Sequence, residues 1–286
     1  MKGLTNYFQH EFDWIRAWPF VIAHGFGVYG IYLLSIDWTH NVWLWWAAFL
    51  YAVRMFSITA VYHRYFSHRS YQTNRLFQFI FALLGVMSVQ KGPLWWAGWH
   101  RHHHRYSDQP KDVHSPRQRG FWYSHIGWVL ARKTNYAPVV KDPDLNTSEI
   151  RFLDQWHYLP PIVLGTIMFY IGGMPSLCIG FFLSTVFLWH GTFFVNSLAH
   201  VIGTQRFATG DDSRNNFWLA FLTCGEGWHN NHHQFQWSVR QGLFWTEIDV
   251  SYYILKFLSL LGIVWDLKIP TSELVQKTMQ EKPGGL

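Results

Sequence analysis

The chain has 286 residues with 17 histidines, a formal net charge of +6 and 20% aromatic residues. Its basic residues lie between long apolar segments rather than along one soluble face. This layout favours lipid headgroups or an anionic partner and argues against nucleic-acid binding. The two cysteines, Cys178 and Cys224, are too few for a disulfide scaffold or a cysteine-rich metal site, and we predict that both are packing residues.

Apolar segments long enough to cross a bilayer core of about 30 Å occur in two pairs. The first two are joined by only five residues, DWTHN. Residues 159–200 contain no Asp, Glu, Lys or Arg, and the motif GGMPS at 172–176 interrupts this run near its middle. We therefore predict an all-α integral membrane protein with four spans in two hairpins, at 19–36, 42–62, 158–172 and 176–199.

The basic residues indicate the orientation of these spans. Thirteen of the 23 lie between Arg54 and Lys141, whereas the predicted outer loops contain none. The positive-inside rule therefore places both termini and the central loop in the cytoplasm. We expect residues 63–157 and 201–286 to form a cytoplasmic cap on the spans.

Two further apolar stretches, 76–90 and 251–265, are too short for a comfortable span. If 76–90 crossed the membrane, the histidine-rich motifs on either side of it would lie on opposite faces. We predict that both stretches are interfacial helices and that residues 1–286 form one domain.

Three motifs concentrate the histidines: HRYFSH at 63–68, HRHHH at 100–104 and HNNHH at 229–233. In the second and third motifs, histidines at i, i+3 and i+4 share one face of a helix. His63 and His68 are five residues apart and diverge by about 140° on a regular helix, so we expect them at a helix end or bound to different metals.

One more histidine, His200, ends the fourth predicted span, with Asn196 one turn earlier on the same face. The histidines at i, i+3 and i+4 of the second and third motifs, together with His63, His68 and His200, number nine, which is too many for one metal ion and suits two. Imidazole binds iron, zinc, copper or nickel, so the ligand type leaves the metal open.

The three motifs and their flanks resemble the membrane fatty-acid desaturase family, and specifically its acyl-CoA (stearoyl-CoA, delta-9 type) branch. The flanking similarity includes NSLAHVIG at 196–203, GFWYSHIGWVLARK at 120–133 and GEGWHNNHH at 225–233. The segment TGDDSRNNFWLA at 209–220 is similar to bacterial members, which implies a bacterial inner membrane.

The resemblance implies a centre of two iron ions that uses O₂ and two electrons to remove two hydrogens from adjacent methylenes of a long saturated acyl-CoA. The implied metal ligands are His63, His68, His100, His103, His104, His200, His229, His232, His233 and, through water, Asn196. His102 occupies a variable position and is expected not to bind. A methylene C–H has no acidic proton, so a redox metal must act; this excludes zinc and favours iron, although copper stays open.

The resemblance also implies residues that bind the substrate. Gln90, Trp96 and Thr192 match positions at a kink in the acyl tunnel, and Tyr51 matches its closed end. Arg132 and Lys133 match contacts to the CoA phosphates. Gly98 departs from the arginine of animal members, which keeps an acyl-lipid substrate as the alternative.

Other residues are expected to support the metal site. His114, His125 and Glu226 match second-sphere or structural positions, and Asp108, Asp112 and Asp212 are further carboxylates near the ligands. His24 and His190 have no metal spacing and are expected to be core or interfacial residues. Arg54 is expected to extend to the cytoplasmic surface.

The sequence has no flavin, haem or iron–sulfur motif, so electrons are expected from another protein: cytochrome b5, ferredoxin or a flavin reductase. Two other functions share part of these features. An alkane or fatty-acid hydroxylase has similar histidine-rich sites, and a metal transporter or sensor would place its ligands along a transmembrane path.

Overall fold

The computed structural model describes residues 12–280, and the two ends of the chain, predicted to be cytoplasmic, lie outside this range. The described chain is mostly helical. The α-helices are α1 (Trp14–Ile36), α2 (Val42–Phe56), α3 (Arg75–Val86), α4 (Pro93–Tyr106), α5 (Pro116–Arg119), α6 (Trp128–Leu130), α7 (Ser148–Gln155), α8 (Leu159–Pro175), α9 (Ser184–Ser197), α10 (Phe217–Leu222), α11 (His229–Gln234), α12 (Val250–Leu260) and α13 (Ser272–Gln280).

The remaining elements are short or tightly coupled to these helices. Three π-helices cover Ser57–Ser67, Tyr123–Gly127 and Ser176–Leu183, and 3₁₀ turns cover Trp38–Asn41, Arg132–Thr134 and Leu198–His200. Strands β1 (Gln72–Thr73) and β2 (Val264–Trp265) pair antiparallel.

Within residues 12–280, three helical runs are long and apolar enough to cross a membrane: Ala17–Ile36, Trp38–Ser67 and Leu159–His200. The third run has 42 residues, about twice what one crossing needs. It is interrupted at Gly172 and Gly173, whose backbone is not helical, and Gly173 has a φ of 63° that favours glycine. Beyond the interruption the chain packs back on itself, since Gly165 lies beside Phe181.

The buried guanidinium of Arg54 joins two of these runs. Arg54 is 1% exposed, and its nitrogens donate to Leu50 O at 3.0 Å, Thr185 Oγ1 at 2.7 Å and Ser184 Oγ at 2.5 Å. The expectation that it reaches the cytoplasmic surface is therefore wrong. Hydroxyl and carbonyl acceptors inside the helix bundle satisfy its donors, so extension to water is unnecessary.

Both shorter apolar stretches form helices that end earlier than predicted. Helix α3 ends at Val86 because residues 87–92 form a tight turn in which Val89 and Lys91 have positive φ angles. Helix α12 ends at Leu260, and Gly262, with a φ of 69°, turns the chain into β2. The pairing of β2 with β1 then ties the end of α12 to the chain just before α3.

Candidate metal centre and substrate cavity

The structure gathers the nine predicted histidines into two groups whose ligand atoms lie within 4.8 Å of one another in each group. We name them site A and site B. Site A contains His63, His68, His100, His104 and His232, and site B contains His103, His200, His229 and His233.

A π-helix brings His63 and His68 to the same site. In the π-helix Ser57–Ser67 the hydrogen bonds join residues five apart, as His68 N does by donating to His63 O at 3.2 Å. Residues five apart therefore share a face here, which a regular α-helix does not allow. The predicted helix end is present at His68, and both histidines belong to the same group of candidate ligand atoms.

Helices α4 and α11 each serve both sites. On α4, His100 and His104 belong to site A and His103 to site B; on α11, His232 belongs to site A, and His229 and His233 to site B. Residues i and i+4 lie one above the other on a helix face, and the residue at i+3 points in a somewhat different direction, toward the neighbouring site. The two helices therefore hold the sites side by side.

The Nε2 atoms of the imidazoles face one another in both sites. In site A, Nε2 of His100 lies 2.8 Å from Nε2 of His68 and 2.9 Å from that of His104. In site B, Nε2 of His229 lies 3.1 Å from that of His200 and 3.0 Å from that of His233. Two nitrogens bound at right angles to one metal ion, at about 2.1 Å each, would lie about 3 Å apart.

Three carboxylates fix the orientation of site B ligands. Nδ1 of His200 donates to Asp108 at 2.9 Å, that of His103 to Asp112 at 3.0 Å, and that of His233 to Asp211 at 2.6 Å. A proton held on Nδ1 leaves Nε2 as a lone pair. These lone pairs face a common space, which a cation fits.

Asp211, rather than the predicted Asp212, contacts a site histidine. The carboxylate of Asp212 instead pairs with Arg117 at the partly exposed surface. An isolated antiparallel β-bridge between Thr204 and Asn215 closes the loop 204–215. Within this loop the carboxylate of Asp211 faces the interior. Two adjacent aspartates offered the same sequence signal, and only this loop conformation distinguishes them.

One ligand of site A, His63, is oriented by a buried charge network. Nδ1 of His63 lies 2.5 Å from Glu226, whose other oxygen accepts from Arg64 at 3.0 Å. Arg64 also pairs with Asp249 at 3.0 Å, and Gln241 donates to Glu226 at 2.8 Å. Sequence reasoning found Glu226 but missed the other three. The position of Arg64 inside the first histidine motif was the only sequence feature that indicated a role for it.

Burial keeps most of these imidazoles neutral. It lowers the pKa of His100 and His104 well below the ordinary value, and neighbouring imidazoles lower it further. For His233, burial outweighs the bond to Asp211 and lowers the pKa to about 4. Although burial raises the pKa of Asp211, the hydrogen bond and charge of His233 hold it below its usual range. Neutral imidazoles and ionised carboxylates are the forms that metal binding needs.

Three other histidines of interest lie around the sites. The ring of His114 lies against that of His103, with ring centres 4.3 Å apart and the planes tilted by 33°. His125 bonds to Ser197 Oγ at 3.0 Å and to His190 at 2.9 Å, neither of which belongs to site A or site B. Nε2 of His102 donates to Lys111 O at 2.9 Å, so its ring points away from both sites.

The three residues predicted at the tunnel kink contact one another beside site A. Gln90 donates to Thr192 Oγ1 at 2.9 Å and accepts from Trp96 Nε1 at 3.3 Å. Trp96 stacks on His100 with ring centres 4.9 Å apart. The positive φ angles of Val89 and Lys91, on either side of Gln90, cost about 1–3 kcal/mol each and are typical of functional segments.

A mainly apolar cavity of about 1310 Å³ adjoins these residues. His100, Asn196, Gln90, Trp96 and Thr192 all line it. Tyr51 is not part of this lining, and its hydroxyl donates to Leu222 O at 2.6 Å instead.

A second, smaller cavity of about 490 Å³ adjoins the first. Lys111 and Lys133 line it, and the segment 136–138 borders both cavities. Arg132 donates to Phe12 O at 3.2 Å. Gly98 lies against this same segment, because a Cβ there would be 2.3 Å from Pro138 O. The chain path therefore leaves no room for an arginine at position 98.

Comparison with known proteins agrees with this geometry. The sequence model of the family described as fatty acid desaturase matches residues 40–259. An acyl-CoA 5-desaturase of Anemone leveillei is 37% identical over 281 residues, covering 95% of this chain and 87% of that protein. The sn-1 stearoyl-lipid 9-desaturase of Synechocystis is 42% identical over 219 residues, covering 74% and 67%, respectively. Delta-9 acyl-lipid desaturase 2 of Arabidopsis thaliana is 35% identical over 267 residues, covering 90% and 86%.

The chain therefore belongs to the fatty acid desaturase family and is an oxidoreductase. Its histidine clusters suit a metal site, and its long apolar helices are those of a membrane protein.

Proposed function

We propose that this protein is an O₂-dependent desaturase that introduces a cis double bond at position nine of a long saturated acyl-CoA. The observation that carries the proposal is the pair of converging imidazole clusters beside a large apolar cavity, which His100 of site A lines. Relatives named as 9-desaturases support the position, and a relative named as a 5-desaturase makes position five the competing outcome.

In this proposal the five histidines of site A hold one iron ion, and the four of site B hold the other. Asn196, which lines the cavity one turn before His200, would contribute to site B through water. The bound ions would supply the redox chemistry that reduces O₂ with two electrons and removes hydrogen from the chain. Two protons complete the balance, giving one alkene and two water molecules.

The residues of the chain provide orientation and a dry environment. Asp108, Asp112, Asp211 and Glu226 hold protons on Nδ1 and aim Nε2 at the metals. The bonded chain of Trp96, Gln90 and Thr192 would hold the acyl chain at its bend. Tryptophan and phenylalanine side chains around the cavity exclude water from the reacting methylenes.

The head group is proposed to be CoA. Lys133 and Lys111 line the second cavity, which adjoins the first, and phosphates bound there would meet positive charge. Because relatives are named for both acyl-CoA and acyl-lipid substrates, stearoyl-CoA and a stearoyl glycerolipid should be compared directly on the purified protein.

We further propose the arrangement in the membrane. The run Leu159–His200 would cross twice, turning at Gly172–Gly173, so that four spans form two hairpins under one cytoplasmic cap. Helices α3 and α12 would lie in the interface; Leu76 and Leu260 on them are well exposed. The excess of lysine and arginine in the central segment supports a cytoplasmic site. The similarity of residues 209–220 to bacterial members supports a bacterial inner membrane.

An electron donor must bind to the cytoplasmic face in this arrangement. A net charge of +6 favours an acidic carrier such as cytochrome b5 or ferredoxin over a neutral one. A flavin reductase is the third candidate. Adding each purified donor to the enzyme and measuring O₂-dependent turnover distinguishes them.

The decisive test is expression in a host that lacks its own desaturase, followed by mass spectrometry of double-bond position. We expect a new alkene at position nine, absent with a His232→Ala variant. Hydroxy acids without alkenes would instead identify a hydroxylase. An unchanged lipid profile with donor supplied, from protein that binds metal, would refute desaturation and favour a metal-handling role.

A further inference from the structure

The turn at residues 87–91 carries Gln90 into the lining of the large cavity in a backbone conformation that is rarely adopted. Val89 and Lys91 have φ angles of 58° and 63°, and a positive φ is unusual above all for a branched side chain such as valine. Such a conformation persists only where the surrounding structure holds it. Tyr62 holds the far end of the turn, because its hydroxyl donates to Lys91 O at 3.0 Å.

Two side chains from the membrane helices hold the first half of this turn. Nε1 of Trp189, on α9, lies 3.2 Å from both Ser88 O and Val89 O. Arg54, on α2, donates from Nη1 to Met87 O at 3.4 Å, and its own carbonyl accepts from Ser88 Oγ at 3.2 Å. Met87 directly follows α3, so the guanidinium lies at the carbonyl end of that helix, where positive charge is favourable.

The same guanidinium is also bonded to α9. Its Nη1 donates to Thr185 Oγ1 at 2.7 Å and its Nη2 to Ser184 Oγ at 2.5 Å. Thr192, which bonds to Gln90, follows Thr185 by seven positions, and this is two turns along the same face of the helix. Arg54 therefore ties both the turn that carries Gln90 and the helix that carries Thr192 to α2.

The charge of Arg54 is not explained by packing alone. Its acceptors within residues 12–280 are all neutral carbonyls and hydroxyls. A charge within a membrane helix is costly and commonly functional, and an apolar side chain would fill the same space at a lower cost. A guanidinium differs from an apolar side chain in offering five donors in one rigid plane, which can hold three helices in a fixed relation.

We propose that Arg54 is a positioning residue for the bend of the acyl chain, and that its bonds to α3 and α9 fix which carbon atoms face site A. This proposal rests on the proposed function. Gln90 bonds to Thr192 and Trp96, and Trp96 stacks on His100 of site A, so a shift of the turn moves the bend relative to the metal ligands. Because a displacement of about 1 Å can change a rate about 100-fold, a small shift is enough to change the position of the double bond.

The first experiment determines double-bond position by mass spectrometry in the host that lacks its own desaturase. Arg54→Met keeps the length of the side chain and removes its donors. We expect the unaltered protein to give one positional isomer, and Arg54→Met to lower the ratio of that isomer to isomers shifted by one or two carbons about tenfold. Arg54→Lys keeps the charge and three donors, so it should restore most of the ratio.

Two further variants separate positioning from general stability. Thr59→Val breaks a buried bond of 2.6 Å between the helical run of Arg54 and Ser251 of α12, so it should lower the melting temperature without changing the double-bond position. Ser184→Ala removes an acceptor of Arg54 that lies outside the cavity lining, and it should give part of the Arg54→Met effect. Adding Ser184→Ala to Arg54→Met should change the ratio no further, because both changes break the same contact.

The proposal is overturned if Arg54→Met gives the same positional ratio as the unaltered protein, or if Thr59→Val shifts the ratio as much as Arg54→Met does. The first result would mean that the turn keeps its place without Arg54. The second would mean that any loss of stability in the helical run moves the bend.

A second measurement does not depend on turnover. The amides of residues 87–89 donate to carbonyls of α3 at 3.0–3.2 Å, and hydrogen–deuterium exchange reports how often these bonds open. With protein in lipid nanodiscs and no substrate, we expect exchange there to be about tenfold faster in Arg54→Met and unchanged in Thr59→Val. Equal exchange in all three proteins would overturn the proposal. Failure of the unaltered protein to form any alkene would instead refute the proposed function, which the exchange measurement does not require.

Discussion

Replacing Asp211 with asparagine tests whether the carboxylates around site B determine its metal affinity. Asp211 accepts the Nδ1 proton of His233 at 2.6 Å and bonds of 2.7 Å and 2.5 Å from Thr209 and Ser213. An amide nitrogen facing His233 would oppose the Nδ1–H. The proton would then move to Nε2 and block the lone pair that faces the metal.

The expected magnitude follows from comparable second-sphere changes, which cost 10–100-fold in metal affinity. This corresponds to a loss of about 1.4–2.7 kcal/mol of metal-binding free energy at one of the two sites. Asp212→Asn is a matched control, because the same substitution one residue away removes only a partly exposed pair with Arg117. Such pairs contribute about 0–1 kcal/mol to stability and should not change metal binding.

The assay is iron content by mass spectrometry after dialysis against graded chelator, with thermal melting as a check of folding. We expect Asp211→Asn to release about one iron per chain at chelator concentrations that leave Asp212→Asn fully loaded. Equal retention by both variants, or equal loss, would refute the reasoning that Nδ1 orientation controls site B.

Four further predictions concern other parts of the site. His102→Ala should keep iron and turnover, whereas His103→Ala should lose site B iron, because only His103 faces the cluster; iron analysis of both variants checks this. Arg64→Met should destabilise the protein by about 3–5 kcal/mol, because the buried carboxylates of Glu226 and Asp249 lose the arginine that they share; a fall in melting temperature measures this. Gly98→Ala should lower the free energy of unfolding by about 1–3 kcal/mol, because the new Cβ would clash with Pro138 O. In Gly120→Ala the new Cβ would meet open space, but the residue has a φ of 80°, so the same melting assay measures backbone strain without overpacking. Removing metal with a chelator should lower the melting temperature, and adding iron should restore it, because the metal-free imidazoles face one another; an unchanged melting curve would contradict this.

The site histidines could be predicted from the sequence because their signal is local. Spacings of three and four place His100 and His104, or His229 and His233, on a common helical face wherever the helix lies. The apolar runs likewise indicate membrane helices from composition alone, and the glycines at 172 and 173 mark where the longest one is interrupted. These properties depend on neighbours in the chain rather than on the packing of distant segments.

Other features depend on contacts between distant segments, and the sequence did not resolve them. The convergence of His63 and His68 needed a π-helix, which the five-residue spacing of the motif did not indicate. The choice between Asp211 and Asp212 depended on which carboxylate a loop turns inward.

The division of the histidines into site A and site B shows the same limit. Each motif looks like one binding face, but the residues of α4 and α11 are shared between the two clusters. Likewise, Arg54 is satisfied by hydroxyls more than 120 residues away, which no local pattern contains. The sequence by itself therefore determined which side chains can bind metal and which segments are apolar. Only the tertiary structure decided which nitrogens meet, because that depends on how separate helices approach one another.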